Sequence, residues 1–505
     1  MTASSADLPD DIDALKGAVG VLERELANRD LVILKLRHQL AGLRRHRFGA
    51  RAESLDQLAM SLEDEAIAAA AEAPVEPEAE PDPAPTDNPV QPKRKPLPDH
   101  LPRIEETLSP GEACSSCGGT LKTLGQDVTE ELNYVPGRFV VNRIVRPRRA
   151  CACCERIHQV PLPSRPIEKG RPGAGLLAHV LVCKYADHLP LYRQSQIFAR
   201  DGLDIGRSTL AGWVGQSAGL LEPLAEAIGR HVRRGTAIFA DDTTLNLLAP
   251  GTGKTKTARM WTYVRDERAW AGEAPPAAYY RFTPDRKGEH PVEHLAGYRG
   301  FMHADGYAGF NALYDTGEIT EVACMAHIRR KFVDVHKASG SAIAEEAIQR
   351  IARLYAIEKA IRGKPLDERA AVRQARSRPI FEAFDTWLAT QLTRISGKTP
   401  LAAAIRYALT RMKRLEPWLA HGVTELDNNA AERAMRPVAL GRKNFLFAGS
   451  MKGGHAAACL YTLIETAKLN GVDPQAWLTD VLARIADTKI TLLDDLLPWT
   501  YAQRA

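Results

Sequence analysis

The chain has 505 residues, 45% of them hydrophobic and 26% charged, with a formal net charge of +5. This length allows several domains with ample core, and no run of about 18 apolar residues is present to cross a membrane. The acidic opening MTASSADLPDDIDALKG lacks the apolar stretch of a secretory signal. Eight cysteines are too sparse for a disulfide scaffold, so the expected location is the cytoplasm. Between Glu63 and Asp87 stand nine acidic residues and no lysine or arginine. The rest of the chain is therefore more basic than its net charge shows, as a polyanion-binding protein would be.

In chain order, residues 1–60 read as a leucine-zipper-like coiled coil. Leu15, Val19, Leu22, Leu26, Ile33, Leu36, Leu40 and Leu43 follow an alternating four-then-three spacing, broken at Arg29. Such a seam favours self-association of the chain into a homo-oligomer. Arg44, Arg45, Arg47 and Arg51 follow it. Residues 61–100 are rich in Ala, Pro and Glu, cannot bury enough apolar surface to fold, and read as a disordered linker.

Residues 101–168 read as a zinc ribbon. Cys114 and Cys117 form one Cys-x-x-Cys knuckle, and Cys151 and Cys154 form another, with Cys153 surplus. Two knuckles supply the four thiolates of a tetrahedral structural Zn2+ site. Arg146, Arg148 and Arg149 stand just before the second knuckle, as expected of a DNA-binding module. Residues 169–234 read as helical, with a break at Asp201-Gly202 and a new start at Ser208-Thr209. That pattern fits a helix-turn-helix, and it equally fits an ordinary helical hairpin.

From residue 235 the pattern changes. AIFADDTTLNLL, ARMWTYVRD and AAYYRFTP read as three strands at hairpin spacing. GEHPVEHLAGY reads as a helix, and GFMHADGYAGFNALY as a strand ending at Asp305. TEVACMAHIRRKFVDVHK reads as a strand running into a basic helix. Three meandering strands followed by alternating helix and strand make a mixed α/β sheet, and the order suits a ribonuclease H-like core over residues 235–450. In such a core Asp241, Asp305 and Glu432 can meet as three carboxylates. Their mutual repulsion is relieved by a divalent cation, and hard oxygen donors suit two Mg2+ or Mn2+ ions. Asp242 competes with Asp241, because adjacent strand residues face opposite sides and only one of them can point at the ions.

Around Glu432, any of Asp427, Asn428 and Asn429 can cap the helix start. Arg433, Arg436, Arg442 and Lys443 follow it as candidate phosphate contacts. Two motifs are set aside. LAPGTGKTK resembles a phosphate-binding loop but has Leu248 where the motif needs glycine, and it links two strands. Cys324-x-x-His327 offers half a metal site, with no partner pair near it in sequence.

FADDT, HADGYAGFNALY, CMAHIRRKF and LDNNAAERAMRPVALGRKNFLFAGS resemble the transposases of the insertion sequence 66 family, and the likeness extends over nearly the whole chain. The resemblance implies a DDE transposase with a ribonuclease H-like core. It implies Asp241 as the first acid, since the family's Asp-Glu-Thr stands here as Asp241-Asp242-Thr243. Asp305 falls in the Asp-Gly-Tyr motif, and Glu432 in the Asn-Asn-x-Ala-Glu-Arg motif. The long gap between them implies a helical insertion at about residues 340–420, and a helical C-terminal segment occupies 451–505. The implied activity is cleavage at the element's ends and strand transfer into target DNA, with small accessory proteins as further partners. A zinc-ribbon regulator without catalysis and a ribonuclease H-like, structure-selective nuclease are the rival readings.

Overall fold

The chain divides into two units, residues 1–130 and 131–505. The computed structural model describes residues 172–504 apart from 250 and 253, with residues 137, 139, 141, 149–150, 157–158 and 164–167. All of these belong to the second unit. The coiled coil, the linker and the zinc-ribbon cysteines lie outside the described residues. Within residues 101–168, β1 (Arg149–Ala150) and β2 (Ile157–His158) are described as an antiparallel backbone pair, in addition to residues 137, 139, 141 and 164–167.

Three helices come next: α1 (Ala174–Tyr185), α2 (Leu191–Arg200) and α3 (Arg207–Arg233). The break before α2 was not foreseen. Pro190 sits at the N-cap of α2, where its missing N–H costs nothing. Helix α3 buries Leu210, Val214, Ala218, Leu221, Leu224, Ala225, Ile228 and Val232. That spacing places one stripe of a 27-residue helix in the core.

The sheet has five strands in the order β5-β4-β3-β6-β7: β3 (Ala237–Ala249), β4 (Lys254–Arg265), β5 (Ala277–Thr283), β6 (Gly300–Ala304) and β7 (Ile319–Ala323). Strands β3, β4 and β5 pair antiparallel, while β6 and β7 run parallel to β3. The glycine-rich stretch after Ala249 is thus a hairpin connection between antiparallel strands. Short helices α4 (Glu289–His294) and α5 (Asn311–Tyr314) flank β6.

After β7 the chain turns helical: α6 (Met325–Ser339), α7 (Ala342–Ile361), α8 (Leu366–Val372), a π-helical turn at Arg373–Ser377, α9 (Arg378–Arg394), α10 (Pro400–Met412) and α11 (Glu416–Ala420). These pack around Phe332, Ile351, Leu354, Phe384, Ile405 and Trp418 as a second hydrophobic cluster, separate from the main sheet core. Arg369 and Arg373 are fully buried within this region. Their guanidiniums donate to the carbonyls of Ala269, Trp418, His421, Gly422 and Thr424, and they pair with Glu358 and Glu425. Buried cations persist only when so fully satisfied. The consequence here is a fixed path for residues 421–425.

The chain then forms α12 (Asn429–Asn444), α13 (Met451–Leu469), α14 (Pro474–Arg484) and α15 (Pro498–Ala502). Helix α13 covers β5, an edge strand. The Thr462 and Thr466 hydroxyls accept from the Tyr280 and Ala278 N–H groups, at 2.9 and 3.2 Å. This satisfies backbone groups that an open edge would leave unpaired. No described helix is long and apolar enough to cross a membrane.

Candidate active site

The strand registers decide which aspartate faces where. Strand β3 pairs with β6 as Ala237↔Phe301, Ile238↔Met302 and Phe239↔His303. Two residues further along the chain come Asp241, still within β3, and Asp305, just past the end of β6. On β4, Thr262 opposes Asp241, and Tyr280 on β5 opposes Thr262. The Tyr280 hydroxyl donates to the Ala434 carbonyl of α12, so α12, which carries Glu432, lies on the Asp241 face. The Asp241 carboxyl is pushed well above the ordinary range by burial, then by the charges of Asp305, Glu432 and Asp242. The charges of Asp305 and Glu432 thus act on the Asp241 carboxyl and disfavour its ionised form.

Asp242 points the other way, into a salt-bridge cluster. Its Oδ2 lies 3.0 Å from Arg259 Nη1, and its Oδ1 lies 2.7 Å from Arg286 Nη2. The side chain is only 2% exposed. The Arg286 guanidinium also stacks 3.9 Å from the Tyr307 ring centre and reaches within 3.9 Å of Asp305 Oδ2. Arg259 and Arg286 were missed in the sequence. Only the register of β3 on β4, which puts residues 242 and 259 on one face, brings the first of them to the aspartate.

Asp305 leaves β6 into a tight turn, where its Oδ1 accepts from the Tyr307 N–H at 3.0 Å. Gly306 has φ +83°, and the Arg411 guanidinium occupies the space a Cβ would need. Only glycine meets both conditions. Arg411, from α10, donates to the Gly306 carbonyl and pairs with Glu321 at 3.1 Å.

The asparagines before Glu432 act differently from simple caps. Asn428 occupies the N-cap position, but its side chain makes no cap bond. Its Nδ2 instead donates across to the Ala240 carbonyl at 2.9 Å, tethering the helix start to the residue before Asp241. Asp427 takes the capping role, accepting from the Asn429 N–H at 3.1 Å. Burial, then Glu425, pushes the Asp427 carboxyl up to about 7. His303, fully buried, adds a second tie. Its Nδ1 lies 3.2 Å from the Ile238 carbonyl, and its Nε2 accepts from the Glu425 N–H at 2.9 Å. Burial lowers its pKa to about 4, so the ring is neutral and bonds to β3 and to the loop before α12.

The candidate phosphate contacts separate. Arg433 and Lys443 are exposed, and Arg436 is half-buried. Arg442 departs from the expectation of a solvent-facing cation. Its Nη1 donates to the Thr244 carbonyl and hydroxyl, at 2.6 and 2.5 Å, which fastens α12 along β3. Arg149 lies in β1, while Arg146, Arg148 and Cys114, Cys117, Cys151 and Cys154 lie outside the described residues.

Cys324 and His327 gain in space the partner that the sequence did not offer. The Cys324 sulfur, a His327 ring nitrogen and a Glu432 oxygen lie within 4.8 Å of one another. Glu432 is otherwise only loosely faced, with His327 Nδ1 at 3.7 Å and Arg330 Nη2 at 3.9 Å.

The mixed sheet thus carries Asp241 within β3 and Asp305 just past the end of the parallel strand β6, with Glu432 in the first turn of α12. Comparison with known proteins gives the class as transposase: residues 169–456 match the description "Transposase IS66 family". The chain belongs to the IS66 transposase family. Residues 462–499 match the IS66 C-terminal element, 112–155 the zinc-finger binding domain of transposase IS66, and 35–105 "Transposase C of IS166 homeodomain". Two relatives come from Sinorhizobium fredii (strain NBRC 101917 / NGR234). The uncharacterized protein y4hP is 42% identical, covering 94% of this chain and 88% of its own length. The uncharacterized protein y4qI is 38% identical over 99% of both.

Proposed function

We propose that this chain is a DDE-type transposase with a ribonuclease H-like core, in which Asp241, Asp305 and Glu432 hold two Mg2+ or Mn2+ ions. One observation supports the reading: the carboxyl of Asp241 on β3 is raised by burial and by the charges of Asp305, just past β6, and Glu432 on α12. The strand order β5-β4-β3-β6-β7 agrees with that core, with Ala342–Ala420 as its helical insertion. Hard oxygen donors suit Mg2+ or Mn2+, which when bound would activate the attacking hydroxyl and stabilise the leaving oxygen of a phosphodiester.

In this reading the chain's own groups do the positioning. Asp242 is not a metal ligand; it orients Arg286 beside Asp305. Asn428 and His303 hold α12 to β3 and β6 so that Glu432 meets the aspartates. Exposed Arg433 and Lys443 meet the phosphate backbone. The ribbon, with Zn2+ on Cys114, Cys117, Cys151 and Cys154, and Arg146, Arg148 and Arg149 beside it, engages element-end DNA. The coiled coil pairs protomers for synapsis.

The test is cleavage and strand joining on a duplex carrying the repeats that flank this coding sequence, in Mg2+. Asp241→Asn, Asp305→Asn and Glu432→Gln should each cost about 10²-fold or more in rate, with end binding retained. Asp242→Asn should retain metal-dependent cleavage. Equal activity of Asp305→Asn and wild type would reject the assignment.

A further inference from the structure

Cys324, His327 and Glu432 are the one group of three candidate metal ligands, one atom each, found within such reach among the described residues. Cys324 follows β7 directly as the N-cap of α6, and His327 lies in the first turn of that helix. Glu432 comes from the first turn of α12. Cys324 is 3% exposed. His327 Nδ1 and Glu432 Oε1 are buried without a hydrogen-bond partner. They face each other at 3.7 Å, too far for a hydrogen bond, while Arg330 approaches the other carboxylate oxygen. Two orphaned acceptor-capable atoms turned toward one buried sulfur call for a bridging group.

We propose that these three side chains form a site for a thiophilic divalent cation, Zn2+ in the first instance, separate in chemistry from the all-oxygen centre beside it. The donor set is one thiolate, one imidazole and one carboxylate, a combination that selects zinc over magnesium. Zn–S is about 2.3 Å and Zn–N about 2.0–2.1 Å, so tetrahedral donors stand roughly 3.5 Å apart. The present spread, within 4.8 Å, closes with small rotamer shifts. Burial, Glu432 and Asp427 raise the free Cys324 thiol, while the Asn428 N–H donates to its sulfur at 3.2 Å, a contact that a metal-bound thiolate would keep. On binding, the thiol proton leaves to solvent and a water completes the fourth position.

The consequence follows from the shared ligand and rests on Glu432 being the third catalytic carboxylate. Zinc on Cys324 and His327 pulls Glu432 away from Asp241 and Asp305. The ion at this position is therefore an inhibitor, and α6 a built-in sensor of free zinc.

The test uses the full chain with its ribbon intact. Zn2+ is counted per chain at saturation in wild type, Cys324→Ser and His327→Gln. Co2+ replaces Zn2+ in a parallel series to read thiolate charge-transfer absorption. The expected result is one fewer ion per chain in both variants, with weaker thiolate absorption in Cys324→Ser. Equal counts and unchanged absorption would overturn the site, and His327→Gln decides alone where Cys324→Ser does not fold. A second arm reads, within each protein, the ratio of Mg2+-dependent cleavage with and without added Zn2+. That ratio should collapse in wild type and stay near one in Cys324→Ser. Equal collapse in both would overturn the inhibitory role. A chain that never cleaves in Mg2+ would sink the transposase reading, while the ion count would still decide the site.

Discussion

The strand ends around Asp241 and the helical region around Arg373 both bury charge, and they treat it in opposite ways. Arg369 and Arg373 are surrounded by carbonyls and two glutamates, and each guanidinium makes several direct hydrogen bonds. The Asp241 carboxyl is raised by the charges of Asp305 and Glu432, and the nearest arginines to these last two stand at 3.9 Å. Satisfied buried charge fixes a backbone path. Like charge without close partners is an electrostatic cost, the kind that clusters at functional sites. The first region serves the second, because the loop that Arg369 and Arg373 hold leads straight into α12.

The sharpest way to break this contrast is to remove a cation from the satisfied region. Arg373→Met leaves Glu358 without its bidentate partner and several carbonyls without donors, and should cost about 3–5 kcal/mol of stability. Chemical denaturation measures it, and a loss near zero would mean the network is not holding the loop. The opposite sign is expected at the acid end. Asp241→Asn, free of divalent ions, relieves repulsion and should stabilise the chain by about 0.5–2 kcal/mol while abolishing cleavage. A fall in melting temperature would show that the carboxylates are not in conflict.

The smallest effect is in the pH dependence. Asp427, raised to about 7, favours the folded chain at low pH, and this contribution is lost as pH rises from about 4 to about 7. His303, lowered to about 4, acts in the other sense. Below its ordinary pKa of 6.5 the unfolded ring takes a proton that the folded ring refuses, so stability rises with pH from about 4 to 6.5. Asp427→Asn should remove the first slope and expose the second. Urea midpoints across that range read the difference, and an unchanged profile would reject the Asp427 assignment.

Much of this was legible in the chain itself. Alternation marked β3 and hairpin spacing marked β4 and β5, and the hairpin reading of the glycine-rich stretch followed from what flanked it. Asp305 was visible as an acid at a strand end before glycine. Other features had no local signal. The asparagines looked like caps, yet Asn428 reaches 188 positions back to β3. Arg442 looked like a free cation, yet it is bonded to Thr244, 198 positions away.

By itself, then, the sequence determined the residue types, the period of each element and the family, because these depend on neighbours a few positions apart. Only the tertiary structure paired Asp242 with Arg259 and Arg286, since those partners are brought by the register of β3 against β4 and by the loop after β5. It alone set Glu432 beside Cys324 and His327, because two helix starts far apart in sequence meet at one strand end. Local periodicity carries no information about which distant face a side chain will find, and packing supplies it.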